Sequence, residues 1–511
     1  MRKFIVPLLM FLFVICFPVF SQETETGNEP SADLNFHDDE IYVINSFVYE
    51  VDGITREFAL TYVSELKEGE EITGLSNLEN FIENKRQLLF NQRALASVRI
   101  EHTIGERRED GKRPVDLVIY VKDTWNLVAI PRPMYTSNNG FDITLKLRDY
   151  NFLGTLSPLR IDLAYKYDER ERTFFTFMLR SDTPLRAFDL NWNFNFDNDF
   201  HYRPDMELPY YFRNVLGVSV EFPIRKTTLT VGFDEGFIYN EENSEGDWPV
   251  YGQFQEGLYL SSVPYISWKI PTGIVLGYYG DLTYTPRLSA RFNHELPQWP
   301  LDKHRIGPFL GFSHNLGFGR VDWIGNFRRG YSANVGNSYS FNFYYAKNNI
   351  EPLSANYSVS GDAHFTITDF FGASSRLTFR HWINDYNDNA GDVLRGILDK
   401  DVKADYMLSL NLDLPVRVLR IRPSEWFSNQ KFRILNFDLH LSPIIDLALY
   451  HDPLNNTSFS FENLLITGGL EIIVFPDFFR STYLRISVGF DFSEFSIKNG
   501  YEIYMGTSLH F

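Results

Sequence analysis

The sequence predicts a small α+β domain followed by an all-β transmembrane barrel of antiparallel strands. Three observations predict it. From Thr124 onward, segments of about ten residues alternate apolar with polar side chains. Aromatic residues make up 16% of the chain, with 47 Phe and 29 Tyr. Mean hydropathy is only −0.23 and charged residues reach 22%, whereas a helical membrane protein needs repeated apolar runs of about 20 residues. A soluble sandwich also alternates, but a barrel in lipid turns its apolar set outward and places aromatic residues at both membrane interfaces.

The first element is residues 1–21. Arg2 and Lys3 precede the apolar stretch Phe4 to Phe20, and Val19-Phe20-Ser21 suits cleavage before Gln22, which reads as a secretory signal. Cys16, the single cysteine, lies inside it, so the remaining chain holds no thiol for a disulfide, a nucleophile or a thiolate metal site. Residues 22–40 are acidic and poor in apolar side chains, the composition of a linker. Residues 41–123 then read as βααββ. Ile41 to Tyr49 forms a strand, and Phe58, Tyr62, Val63 and Leu66 recur at helical spacing. Ser76-Asn77-Leu78-Glu79 opens a second helix as a capping box, with Leu78, Phe81, Ile82, Leu88 and Leu89 on one side. Val98 to Ile104 and Val115 to Val121 alternate as two closing strands, with a turn at Asp110-Gly111 between them.

Residues 124–511 supply the barrel. Leu159 to Tyr167, Leu190 to Asp197 and Asp405 to Leu414 show one apolar and one polar face each. The stretch after Arg395 holds five strands. The stretch before it offers up to thirteen; closure with an even number allows sixteen or eighteen in all, and extended loop hairpins are expected among the segments between Asp234 and Arg305. Pro131 and Pro133 stand two apart in the first strand, so both missing N–H groups fall on one edge, which is expected to face the last strand and leave a weak seam. A pair across that seam, for example Ile130 with Ile503 or a neighbour, is expected to cross-link.

Five features carry a resemblance to a known family. The order of residues 41–123, with Gly53-Ile54-Thr55 opening the first helix, Gly69 after it and Ala96-Ser97-Val98 entering the next strand, resembles a POTRA domain. Tyr504, Gly506, Leu509 and Phe511 resemble the C-terminal signal of bacterial outer-membrane barrels. Asp149, Asn151 and Gly154 resemble the Asp-x-Asn-x-x-Gly turn after the second strand of the BamA/TamA superfamily, also called the bacterial surface antigen family. Leu394-Arg395-Gly396-Ile397 resembles its Val-Arg-Gly-aromatic loop motif, and Ile444-Ile445-Asp446-Leu447-Ala448 its Phe-x-Asp-x-Gly strand. The chain departs from the pattern at Ile397, Ile444 and Ala448. The resemblance implies a sixteen-strand barrel and a loop held in its lumen by an ion pair, here Arg395 with Asp446.

It also implies function: assembly, insertion or translocation of unfolded outer-membrane or secreted polypeptides in the bacterial outer membrane, with the POTRA-like domain in the periplasm. Periplasmic accessory proteins and the lipid bilayer are the further partners. A two-partner-secretion transporter, and a surface antigen or porin without assembly activity, are the alternatives. The net charge of −18 speaks against nucleic acid. His201, His294, His304, His314, His364, His381, His440 and His451 lack ligand spacing and are expected in the lumen or at the rim. Asp385, Asn387 and Asn389 miss the spacing of a calcium loop. No nucleophile stands beside a base, so neither an enzyme nor a cofactor is expected.

Overall fold

The computed structural model describes residues 40–136, 140–167, 173–204, 209–239, 258–275, 281–296, 298, 301, 305–397, 401–455, 457–478, 483–492 and 501–506. The signal stretch, residues 22–39 of the linker, and Leu509 and Phe511 lie outside the described residues. Among the described residues, Tyr49–Glu65, Gln87–Arg99 and those from Tyr120 onward pack as one compact unit, and Glu40–Val48, Leu66–Arg86 and Ile100–Ile119 as another.

Six elements precede the barrel: β1 (Ile41–Asp52), α1 (Glu57–Ser64), β2 (Glu71–Thr73), α2 (Leu75–Phe90), β3 (Leu95–Ile104) and β4 (Lys112–Asp123). The sheet order is β2-β1-β4-β3. The expected βααββ thus gains a strand between the helices. Three residues are too few to show alternation, and β2 owes its place to Gly69 and Gly74, whose φ of 80° and 89° turn the chain into and out of it. Their N–H groups donate to Ile44 and Glu40 at 2.8 Å each. Of the residues at helical spacing, Leu66 is buried just past the end of α1 and Tyr62 is not. Ala59, Leu60 and Ser64 are buried while Tyr62 is 48% exposed, because a helix of two turns carries too little periodicity to fix its face.

The barrel comprises β5 (Leu127–Thr136), β6 (Gly140–Asp149), β7 (Leu159–Tyr167), β8 (Thr173–Ala187), β9 (Leu190–Tyr202), β10 (Tyr210–Ile224), β11 (Thr227–Tyr239), β12 (Leu258–Val275), β13 (Asp281–Glu295), β14 (Phe309–Ile324), β15 (Phe327–Asn342), β16 (Leu353–Thr366) and β17 (Gly372–Ile383). It continues through β18 (Tyr406–Asp413), β19 (Val416–Ile421), β20 (Phe437–His451), β21 (Leu465–Pro476), β22 (Leu484–Asp491) and β23 (Tyr501–Gly506). From β5 to β18 and from β19 to β23 each strand is antiparallel to the next, and β23 lies beside β5 to close the sheet. β18 and β19 are halves of one strand, both paired with β20. The break falls at Pro415, which has no N–H to give, although its carbonyl still accepts from Gly372 at 2.9 Å.

Among the described residues the barrel therefore has eighteen strands, thirteen before Arg395 and five after, and the expected sixteen is corrected. The two additional strands lie among the segments expected to form loop hairpins. β12 and β13 are wall strands of 18 and 15 residues, in unbroken ladders with β11 and β14 and paired with each other across a register shift between Pro271 and Val275. Alternation is the same in a wall hairpin and in a hairpin that projects from the wall. Closure demands only an even number, so periodicity alone does not choose between sixteen and eighteen.

Polarity follows the strand period. On β6, Asp142 and Thr144 are 3% and 5% exposed, while Ile143 and Leu145 are 45% and 36% exposed. On β18, Met407, Ser409, Asn411 and Asp413 are buried and their neighbours are not. The buried polar set lines the inside and the apolar set faces out, the arrangement of a barrel wall in lipid. One histidine departs from expectation, while His381 and His451 lie at the ends of β17 and β20, at the rim. His314 shares the outward parity of Leu310 and Phe312, and it belongs to an aromatic belt crossing β14 to β20. His314 and Tyr339 stack at 6.5 Å, Tyr357 and His381 at 6.1 Å, and Tyr406 and His451 at 4.8 Å. These imidazoles serve as flat rings in the outer wall, which their scattered spacing conceals.

Candidate functional site

Three features of the barrel bear on function: a clamp on the loop between β17 and β18, the seam between β23 and β5, and the turn between β6 and β7.

The clamp forms because the loop folds against the inner wall. Ala390 N donates to Val402 O at 2.8 Å, and Asn387 and Ala404 exchange bonds of 2.8 and 2.9 Å, so the loop is itself a short hairpin. Its apolar residues Ala390, Leu394, Ile397, Val402 and Ala404 form one buried cluster with Met407 and Ala448 of the wall. The departures from the family pattern at Ile397 and Ala448 therefore fall in the same cluster. A side chain smaller than an aromatic ring at 397 is matched by one larger than glycine at 448.

Arg395 lies at the centre. Its side chain is 6% exposed and meets three carboxylates. Nε donates to Asp446 Oδ2 at 2.9 Å and Nη2 to Asp446 Oδ1 at 2.5 Å, a bidentate pair, and the Arg395 main-chain N–H adds a third bond to Oδ2 at 2.9 Å. Nη1 reaches Asp413 at 2.7 Å and Glu471 at 3.1 Å. Burial works against the guanidinium charge, but these carboxylates prevail and hold its pKa above the usual value. Gly396 follows with φ +111°, and a Cβ there would stand 2.5 Å from Phe490 N. On the wall, a Cβ at Gly489 would stand 2.5 Å from Arg395 O. Two glycines thus let two backbones touch, and Gly396 N–H donates to Glu502 Oε2 at 3.2 Å.

The sequence reading named Arg395, Gly396 and Asp446. It missed Asp413, Glu471, Gly489 and Glu502. Parity could have found two of them, since Glu471 is a charge between Leu470 and Ile472, and Asp413 shares the inward face of Asn411.

The clamp continues toward the seam. Arg485 shares Glu471 Oε1 at 3.1 Å and lies 4.3 Å from the centre of the Tyr504 ring, while Arg132 of β5 approaches the same ring at 5.6 Å. Tyr504 folds back over Gly506, where a Cβ would stand 2.2 Å from its hydroxyl. The tyrosine and glycine of the terminal pattern are thus one packed unit beside β5.

The geometry of β5 settles which way its prolines face. Ten consecutive residues, Leu127 to Thr136, pair with β6 without a register shift. The even-numbered residues make the ladder bonds, as the bond from Tyr150 N to Asn126 O at 3.1 Å shows. Odd-numbered residues, Pro131 and Pro133 among them, turn their backbone polar groups to the other edge, where β23 lies. Ile130 and Ile503 do not make a cross-seam pair. Ile130 shares the inward parity of Val128, 8% exposed, and Ile503 is 37% exposed on the outer face. Arg132 and Tyr504 are the inward neighbours.

The third feature is the turn of Asp149, Asn151 and Gly154. Asn151 is fully buried. Its Nδ2 donates to Thr55 Oγ1 at 2.7 Å and to Asp123 Oδ2 at 3.2 Å, and its Oδ1 accepts from Leu156 N at 2.8 Å. Asp149 Oδ1 accepts from Asn151 N at 3.0 Å. Arg56 N donates to Gly154 O at 2.9 Å. Gly154 has φ +74°, and a Cβ there would stand 2.2 Å from Ile54 O. Asp123 completes the knot, accepting from Ile54 N at 2.8 Å, Thr55 N at 3.1 Å and Thr55 Oγ1 at 2.6 Å. The motif residues therefore fasten the start of α1 and the end of β4 to the first turn of the barrel within one compact unit.

Among the described residues no group of three His, Asp or Glu side chains comes together to hold a metal ion.

The sequence matches no family model and no curated protein. Among solved structures the chain is similar to CdiB from Acinetobacter baumannii, with a TM-score of 0.43 and 12% identity over 91% of this chain and 73% of that one. It is similar to BamA from Haemophilus ducreyi lacking POTRA domains 1-3, with a TM-score of 0.37 and 12% identity over 91% and 84% of the two chains. It is also similar to CdiB from Escherichia coli, with a TM-score of 0.39 and 9% identity over 96% and 93%.

Proposed function

We propose that this chain is an outer-membrane factor of the BamA/TamA kind that inserts or translocates polypeptides, admitting an extended client strand at the seam between β5 and β23. The observation that carries this reading is the seam itself, where the first strand presents two residues without N–H groups to the last. A barrel that must only stay shut gains nothing from such an edge. The clamp supports the reading by fixing a loop inside the lumen beside β23, where Gly396 meets Glu502.

Depletion in cells tests the role. Loss of other outer-membrane barrels, with their precursors gathering in the periplasm, is the expected result. Unchanged barrel levels together with a large steady conductance of the purified protein in planar bilayers would replace the proposal by a porin. To test the seam, cysteines replace Arg132 and Tyr504 and are joined by a short bifunctional reagent. Client insertion should stop while the barrel stays folded; full activity with the seam completely joined would favour passage through the lumen.

Topology offers a separate check. The N-terminal domain is proposed to be periplasmic and the loop of Arg395 to enter from outside. A cysteine at Asp385, exposed in that loop, should react with an impermeant reagent on intact cells and one at Glu70 should not. Labelling of Glu70→Cys in unbroken cells would reverse the orientation.

A further inference from the structure

We propose that the β5 edge facing the last strand is acceptor-only from Pro131 to Pro133, so that it takes an incoming strand through that strand's N–H groups and leaves its carbonyls unmatched there. This rests on the reading of the seam as the place of strand entry. In a β-strand the N–H and C=O of one residue point to the same edge. The even-numbered residues of β5 spend theirs on β6. At residues 131 and 133 the free edge therefore offers two carbonyls and no donors. An ordinary strand edge offers both in alternation, and any strand added to it is bound from both sides.

The occupant follows from what is seated there. β23 lies on this edge in the closed barrel. Its described residues have an apolar outward face, Tyr501 and Ile503 being 42% and 37% exposed. A competitor for the edge is accordingly another extended strand with lipid-facing side chains at every second position, the last strand of a membrane barrel. Each missing ladder bond weakens its hold by roughly two- to tenfold. The same loss applies to β23, so the edge exchanges one strand for another without the cost of breaking a complete ladder. Selection then rests on the client's N–H groups, and a proline or N-methylated residue opposite 131 or 133 would be refused.

The test uses the full-length protein in nanodiscs and a synthetic peptide with the sequence of residues 501–511, captured by a photoreactive group replacing Arg132. Backbone esters, which delete one N–H each, are walked along the peptide, and thioamides, which weaken one carbonyl each, are walked likewise. Esters at two positions two residues apart should lower capture about fivefold or more, and thioamides at those positions should change it less than twofold. In the variant Pro131→Ala with Pro133→Ala the thioamides should begin to matter, and hydrogen exchange of the Tyr501–Gly506 amides should slow about fivefold. Capture of the unmodified peptide with no ester effect, or with thioamide losses already in the natural protein, would overturn the acceptor-only edge while leaving strand entry standing. An absence of capture, with exchange in the double alanine variant unchanged, would overturn both.

Discussion

Arg395→Ala is expected to lower the heat resistance of the barrel on a semi-native gel by on the order of 10 °C. Removing one member of a buried ion cluster costs roughly 3–5 kcal/mol, because the charges left behind keep their desolvation without their partner, and each kcal/mol is worth about 2–4 °C in a domain of this size. Here the residue removed is the only cation touching Asp446 and Asp413 among the described residues, and Glu471 would retain Arg485 alone. The control is Arg420→Ala. That side chain is 56% exposed and stands 3.5 Å from Asp438, so its loss should fall within the 0–1 kcal/mol of a surface pair. Arg395→Lys should recover only part of the stability, since one ammonium cannot reproduce the planar fork that meets both Asp446 oxygens. A charge swap of Arg395 and Asp446, sound for an isolated pair, should fail, because an Asp at 395 would stand among Asp413 and Glu471. Matching, negligible shifts in Arg395→Ala and Arg420→Ala would show that the loop is held by its apolar cluster alone.

The barrel was legible because its signal is repeated along nearly four hundred residues and each strand reports the same two faces. Strand number was not, since β12 and β13 look alike whether they stand in the wall or above it. Arg395 and Asp446 could be paired from motif and parity, as both are features of single segments. Asp413 and Glu471 join the cluster through the register of β18, β20 and β21, and register between strands is set by turns and ladders that no one strand encodes. β2 was hidden by its three residues, and the exposed side of α1 by its two turns. The prolines of β5 stand at the other extreme. Missing donors are written into the residue type, and two of them at even spacing fix an edge before any coordinate is known.

Gly154→Val is expected to unfasten the first turn of the barrel while leaving the barrel wall intact. Two costs add. A residue other than glycine at φ +74° loses roughly 1–2 kcal/mol, with more for a β-branched side chain. Its Cβ would also stand 2.2 Å from Ile54 O, a contact that only backbone movement can relieve. That movement stretches the bond from Arg56 N to Gly154 O and pulls Thr55 away from Asn151. Asn151→Ala reaches the same state by another route, deleting two donated bonds and the acceptor of Leu156 N in a fully buried site, where each unmatched partner costs about 1–3 kcal/mol. Hydrogen exchange gives the readout. The amides of Ile54, Thr55 and Arg56, which donate to Asp123 and Gly154, should lose protection by tenfold or more in both variants, while those of β14 to β17 keep theirs. A uniform loss across the barrel would mean that the turn supports the wall itself. Unchanged protection at residues 54–56 would mean that Asp123 alone holds the start of α1, and that the motif residues serve only their own turn.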